Sequence, residues 1–202
     1  MFTGIVSGMA TVQHLSGDES LCTLTLSNEA IPRDVTIGDS VCIAGCCLTV
    51  IERTDATVSF EVMGETVAKT TFGALQPGDR VNIECSLRPT TQMGGHMVSG
   101  HVDGIGEVRD IRENDGWKTI FFRVPDTIKR LVAPKGSITI NGTSLTIIDV
   151  DDQPSGTVIS IGFIPHTLAT TTHGLLAVGD RVNMEADLLA RYMLRLIETK
   201  AD

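Results

Sequence analysis

The chain has 202 residues, 42% of them hydrophobic and 20% charged, a globular composition well away from that of disordered chains. Its formal net charge of −9 excludes a nucleic-acid partner, which needs a basic face, and argues against docking on an anionic membrane. Aromatic residues make up only 4%, with one Trp and one Tyr, while glycine reaches 20 residues. The core must therefore be aliphatic and the chain must turn often.

At the amino terminus, Met1-Phe2-Thr3-Gly4-Ile5-Val6 lacks the basic and long apolar regions of a signal peptide. The five cysteines, Cys22, Cys42, Cys46, Cys47 and Cys85, follow no regular spacing. A cytoplasmic chain with reduced thiols is expected. Period-two alternation predicts strands at residues 22–26, 57–62, 80–84, 137–140 and 157–161. Turn signals such as Ser16-Gly17-Asp18, Ile37-Gly38-Asp39, Gln76-Pro77-Gly78-Asp79 and Asn114-Asp115-Gly116 separate them. Helical pieces are predicted at residues 65–75 and 167–175, and residues 90–100 read as a connection. Residues 186–200 place Leu188, Leu189, Tyr192, Met193, Leu196 and Ile197 at helical spacing. From pattern alone, that helix either packs on its own domain or meets neighbours in an oligomer. No C-x-x-C or H-E-x-x-H pattern is present, so no metal site is expected.

The chain repeats itself. Gly4-Ile5 recurs as Gly104-Ile105. Ser40-Val41-Cys42-Ile43-Ala44-Gly45-Cys46-Cys47-Leu48-Thr49-Val50 matches Ser137-Ile138-Thr139-Ile140-Asn141-Gly142-Thr143-Ser144-Leu145-Thr146-Ile147. Gly78-Asp79-Arg80-Val81-Asn82-Ile83-Glu84 matches Gly179-Asp180-Arg181-Val182-Asn183-Met184-Glu185. Three blocks in one order imply a duplicated domain of about 100 residues, too long a period for a solenoid or propeller. Several short strands per copy point to a small closed barrel, since closure removes exposed edges.

In a duplicated domain, positions that agree in context and differ in chemistry are informative. Cys47 and Ser144 each follow a small residue and precede Leu-Thr. A thiol in one copy and a hydroxyl in the other supply a nucleophile and a hydrogen-bonding group; an isolated cysteine of this kind is more often a small buried hydrophobe. His96 and His101 lie five apart among glycines. They read either as proton carriers beside a flat ligand or as connecting-segment histidines bonded to backbone. Glu84 and Glu185 end matching strands, and Asp187 follows Glu185 at period two. Two carboxylates on one face would raise a pKa for proton transfer; the plainer alternative is an exposed strand end.

These blocks, with Gly94-Gly95-His96 through Ser99-Gly100-His101-Val102 and Ile164-Pro165-His166-Thr167, resemble the riboflavin synthase family, α-chain type, over essentially the whole chain. The resemblance implies an all-β fold of two tandem six-stranded Greek-key β-barrels, residues 1–96 and 97–187, followed by a trimerisation helix at residues 188–202. It implies dismutation of two 6,7-dimethyl-8-ribityllumazine molecules to riboflavin and 5-amino-6-ribitylaminouracil by four-carbon transfer. It further implies no cofactor, a homotrimer with each active site between barrels of two chains, and lumazine synthase as a further candidate partner. Carried over residue by residue, the amino-terminal pocket uses Gly4, Ile5, Val6, Cys47, Leu48, Thr49, Glu61, Val62, Met63, Gly64, Glu65 and Thr66, with Phe2 beside it. The carboxy-terminal pocket uses Gly100, His101, Val102, Lys135, Ser144, Leu145, Thr146, Gly162, Phe163, Ile164, Pro165, His166 and Thr167. Catalytic roles fall to Cys47, His101, Ser144, Glu185 and Asp187. His166 departs from the family, whose members often carry Glu there, as the first copy does at Glu65. A related class, the lumazine-binding optical proteins, shares the duplicated barrel but alters the polar residues that are present here.

Overall fold

The computed structural model describes residues 1–199; residues 200–202, the end of the predicted tail helix, lie outside the described residues. The first copy comprises β1 (Gly8–Gly17), β2 (Leu21–Ser27), β3 (Ser40–Ile43), β4 (Cys46–Arg53), β5 (Thr57–Met63), α1 (Gly64–Lys69) and β6 (Arg80–Cys85). The second comprises β7 (Gly104–Asn114), β8 (Trp117–Arg123), β9 (Ser137–Ile140), β10 (Thr143–Gln153), β11 (Gly156–Phe163), α2 (Pro165–Thr170) and β12 (Arg181–Ala186); α3 (Leu188–Glu198) follows. Each copy closes into a six-stranded antiparallel barrel, β1-β2-β5-β4-β3-β6 and, in the same cyclic order, β7-β8-β11-β10-β9-β12. This is the duplicated Greek-key architecture expected from the sequence, with a carboxy-terminal helix.

Alternation decides which side chains fill each barrel. Leu24 and Leu26 of β2 point inward against Phe60 and Val62 of β5, while Thr25 bonds Ser59 across the strands on the outer face at 3.0 Å. The second barrel is filled in the same way by Ile120, Phe122, Ile159, Ile161 and Phe163. The predicted helices are shorter than expected. Thr70 and Thr171 are extended, and their hydroxyls cap a 3-10 turn at Thr71–Ala74 and at Thr172–Leu175. A Thr side chain that competes for a backbone N–H ends the helix there. Among the described residues, no helix is long and apolar enough to cross a membrane.

The barrels meet at the tips of the β3–β4 and β9–β10 hairpins. Ala44-Gly45 and Asn141-Gly142 both have positive φ at each position, +45°/+89° and +45°/+80°, the two-residue turn that matches strand twist. A Cβ on Gly45 would lie 3.0 Å from the Gly142 nitrogen, and one on Gly142 would lie 2.9 Å from the Gly45 nitrogen. The tips thus abut backbone to backbone. The Asn of each Gly-Asp-Arg-Val-Asn block fastens this seam. Asn82 Nδ2 donates to the Asn141 carbonyl (2.9 Å) and its Oδ1 accepts from Thr172 N–H (2.8 Å). Asn183 mirrors it on the Ala44 carbonyl (2.9 Å) and Thr71 N–H (2.8 Å).

One repeat match is corrected by the register. Gly104 pairs with Met184 as Gly8 pairs with Ile83, so Gly104 is the counterpart of Gly8. The counterpart of Gly4 is Gly100, as the contacts below establish.

The copies differ at the 3-10 turn, where buried Phe72 is matched by buried His173. The His173 ring lies 4.8 Å from that of Phe163, and its Nε2 bonds Thr143 Oγ1 at 3.0 Å. Burial pushes its pKa down to about 4. The native state therefore holds His173 neutral, whereas the unfolded chain takes up a proton below its ordinary value of 6.5. Stability contributed by neutral His173 is intact above pH 6.5 and is lost as pH falls toward 4, by up to roughly 3 kcal/mol. His173→Phe, which copies the first barrel, should remove this acid sensitivity. Melting temperatures at pH 7 and 4.5 test it: the drop should be clearly smaller in H173F, and equal drops would contradict the assignment.

Candidate functional site

Two lead-in segments, residues 2–5 and 98–101, run beside each other before their barrels begin. Phe2 and Val98 exchange backbone hydrogen bonds of 2.8 and 3.1 Å. Each segment is held by the carboxylate at the end of a barrel strand. Glu84 Oε1 accepts from Thr3 N–H and Oγ–H, both at 2.7 Å, and its Oε2 accepts from Gly4 N–H at 2.8 Å. Glu185 Oε1 accepts from Ser99 N–H (2.7 Å) and Oγ–H (2.6 Å), and its Oε2 from the N–H groups of Gly100 (2.9 Å) and His101 (3.0 Å). Burial raises the Glu84 pKa, against the lowering effect of its bonds to Thr3 and Gly4. Both carboxylates are fully engaged as anchors of backbone.

The segments then cross to the other barrel. Ser144 N–H donates to the Gly4 carbonyl, and Cys47 N–H donates to the Gly100 carbonyl, each at 2.8 Å. Gly4 and Gly100 have φ of +75° and +78°, and a Cβ on either would lie 2.5 Å from Ser144 Cβ or 2.7 Å from Cys47 Cβ. Only glycine combines that backbone with that approach. The grouping expected from sequence order is thereby corrected. Gly4 lies against Ser144 at the start of β10, and Gly100 against Cys47 at the start of β4. The reason is physical: an isolated β4 or β10 edge would leave the N–H of Cys47 or Ser144 without an acceptor, and the segment that reaches it comes from the other copy.

Each crossed set has the same materials. Thr49 and Thr146 are exposed on the outer faces of β4 and β10. Beyond them, β5 runs into α1 through exposed Glu61, Met63 and Glu65 and half-buried Gly64 and Thr66, and β11 runs into α2 through half-buried Gly162 and Thr167 and exposed Ile164, Pro165 and His166. Glu65 is paired with Lys69 at 2.7 Å. Phe2, Leu48, Val62 and Phe163 are buried, so any contact they make with a ligand is through backbone. Lys135 is exposed with φ +68°, where the first copy has Gly38 at +93°; a strained non-glycine position of this kind is typical of functional segments. Met63 is 65% exposed and its counterpart Ile164 is 61% exposed, so both sets have an apolar rim open to a ligand or another chain.

The second set carries a feature the sequence only hinted at through its Gly-Gly-His run. His96, from the connecting segment, bonds Ser144 Oγ at 2.7 Å through Nδ1 and Thr139 Oγ1 at 3.3 Å through Nε2. Burial lowers the His96 pKa and the nearby Asp187 carboxylate pulls it back up. A neutral imidazole joins one acceptor and one donor nitrogen to two hydroxyls, which makes a path for the Ser144 proton. His101, by contrast, is exposed one residue beyond the Gly100 carbonyl that holds Cys47.

Asp187 does not share a strand face with Glu185. β12 ends at Ala186, and Asp187 caps α3, its Oδ1 accepting from Leu189 N–H at 2.9 Å. Arg191 of α3 bonds Asp103 at 2.8 Å, and Asp103 also accepts from Ala186 N–H. This fastens the helix to the base of the second lead-in segment. Its outer face leaves Leu189, Tyr192, Met193, Leu196 and Ile197 about 60% exposed. Among the described residues, no cluster of His, Cys, Asp and Glu is arranged to hold a metal ion.

Comparison with known proteins defines the class. Residues 3–86 and 99–187 each match the lumazine binding domain. LumP complexed with 6,7-dimethyl-8-(1'-D-ribityl) lumazine has a TM-score of 0.79 at 26% identity, covering 92% of this chain and 99% of that one. LumP complexed with riboflavin has a TM-score of 0.81 at 27% identity, with the same coverage. The riboflavin synthase of Photobacterium phosphoreum is 37% identical over 198 residues, covering 98% of this chain and 89% of that protein. That of Mycobacterium tuberculosis is 36% identical over 200 residues, covering 98% and 99%. The chain belongs to the riboflavin synthase family.

Proposed function

We propose that this chain is a riboflavin synthase. It joins two molecules of 6,7-dimethyl-8-ribityllumazine, moving a four-carbon unit from one to the other, and releases riboflavin and 5-amino-6-ribitylaminouracil. The observation that carries this reading is the crossed pair of sites. A reaction that consumes two copies of one substrate needs two similar clefts, and two differing reactive groups, Cys47 and Ser144, stand at matching points in them. Backbone N–H and C=O groups at the glycine-rich edges match the amide-like edge of a flat pteridine ring, and Gly4 and Gly100 let the lead-in segments that form those edges pack against Ser144 and Cys47.

The donor lumazine must lose a proton from its C7 methyl group, leaving a carbanion delocalised over the ring, and the acceptor must take a nucleophile at C7. Ser144 backed by His96 is the group best placed to move a proton. Cys47, with His101 one residue beyond its backbone partner, serves the other ring. Glu185 acts by holding Ser99, Gly100 and His101 in place, and Asp187 by capping α3 beside His96. Held face to face, the two rings react as one unit, with the large effective molarity that orientation supplies. The assay is direct: purified protein mixed with the lumazine should develop riboflavin absorbance, and tight binding without riboflavin would leave a binding protein.

The functional unit is a cytoplasmic homotrimer. An amphipathic helix with its apolar stripe exposed, and open rims at Met63 and Ile164, fit a site completed by a neighbouring chain. Solution mass should be three times the 21.6 kDa chain, and deletion of residues 188–202 should yield monomers; a monomeric full-length chain would refute the assembly.

A further inference from the structure

We propose that Cys47 and Cys42 form a reversible oxidation site, closed by a hydroperoxide into a disulfide across the β3–β4 hairpin. The register makes them direct partners: Ile43 faces Cys46 beside the two-residue turn, and Cys42 faces Cys47 next along. The Cys47 N–H is directed away from Cys42, to the Gly100 carbonyl, so this is the pair without mutual backbone hydrogen bonds. Such pairs hold their Cα atoms about 4.5 Å apart, within the roughly 4.4–6.8 Å that disulfides span. Val41, Ile43, Cys46 and Leu48 point into the barrel, whereas Cys42 and Cys47 lie together on the outer face against Phe2 and Val98.

The second barrel shows what these two positions do when both are polar. There they are Thr139 and Ser144, and their hydroxyls converge on the single imidazole of His96. The first barrel puts thiols at both. Exposure divides the labour: Cys47 is half-buried and open to a small oxidant, and Cys42 is 2% exposed beside it. Burial raises the Cys42 thiol well above its ordinary range, so peroxide meets Cys47 first. Cys46, inside the barrel, is pushed up to about 12 and faces the wrong way.

The Cys47 thiolate attacks one peroxide oxygen; the O–O bond breaks and, with protons, water leaves, giving a sulfenic acid. The Cys42 sulfur then attacks the Cys47 sulfur. The S–O bond breaks, the S–S bond forms, and the hydroxyl departs with the Cys42 proton as a second water. Two thiols lose two electrons and the peroxide gains them. A dithiol reverses the bond by exchange. Loss of activity on closure rests on the proposed role of Cys47, but formation of the bond does not.

The test treats the full-length protein with hydrogen peroxide, then with dithiothreitol. Wild type should lose two titratable thiols and two hydrogens in mass per chain, fall about tenfold or more in riboflavin formation, and recover on reduction. Cys42→Ala should start with near wild-type activity, show no internal bond, and lose activity that dithiothreitol no longer restores, because the Cys47 sulfenic acid is left to oxidise further. Cys46→Ala should behave as wild type. Wild type that keeps five titratable thiols, or recovery in C42A equal to wild type, would overturn the proposal, as would loss of the bond in C46A. If reduced protein makes no riboflavin, the enzymatic reading falls, while the thiol and mass measurements still decide the site.

Discussion

Glu185→Ala is expected to destabilise the fold by roughly 3–5 kcal/mol, because three backbone N–H groups and one hydroxyl lose their acceptor in a buried place. Glu185 is 2% exposed and accepts from Ser99, Gly100 and His101 at 2.6–3.0 Å. The melting temperature should fall by about 10 °C. The loss should also be local. Without the anchor, the Gly100 carbonyl no longer stays on Cys47 N–H, and the edge proposed to hold one lumazine comes apart. Glu185→Gln should recover part of the stability, since one oxygen still accepts while the new amide points a donor at donors. Glu84→Ala should produce the matching effect at Thr3 and Gly4. A shift of only about 1 °C in E185A would show that the anchor contributes little.

The second large effect concerns proton transfer. Ser144→Ala and His96→Ala should each lower kcat about 100-fold, the lower end of what positioned acid–base groups supply. Ligand affinity should change far less, because the edge formed by Gly4 and the Ser144 backbone is retained. The two residues are one path, joined by the 2.7 Å Nδ1–Oγ bond, so the double variant should be little worse than the poorer single one. Fully multiplicative losses would mean that they act separately.

The duplication, the barrels and the terminal helix were legible because they rest on patterns the sequence displays: alternation, turn residues and repeated blocks. The crossed pairing was not legible. Matching Gly4 to its counterpart says nothing about which barrel its carbonyl reaches, and the two-residue Gly-Ile match at Gly104 even pointed to the wrong counterpart. The repeated Asn82 and Asn183 stood out as motif residues, but their place on a seam between copies is a property of how the barrels meet. Asp187 looked like a strand-face neighbour of Glu185 because alternation was extended one residue past the end of β12, where a helix cap begins. His96 was visible among the glycines, yet its weight comes from a hydroxyl 48 positions away in the chain. Long-range contacts of that kind leave no local trace in composition or period.

The central claim is that two matching sites serve one reaction between two identical molecules. The most direct measurement is stoichiometry: lumazine consumed against riboflavin and 5-amino-6-ribitylaminouracil formed by the purified protein. The expected result is two lumazine molecules lost for each riboflavin, with one uracil product released alongside. Riboflavin formed one for one from lumazine, or lumazine bound and returned unchanged, would contradict it.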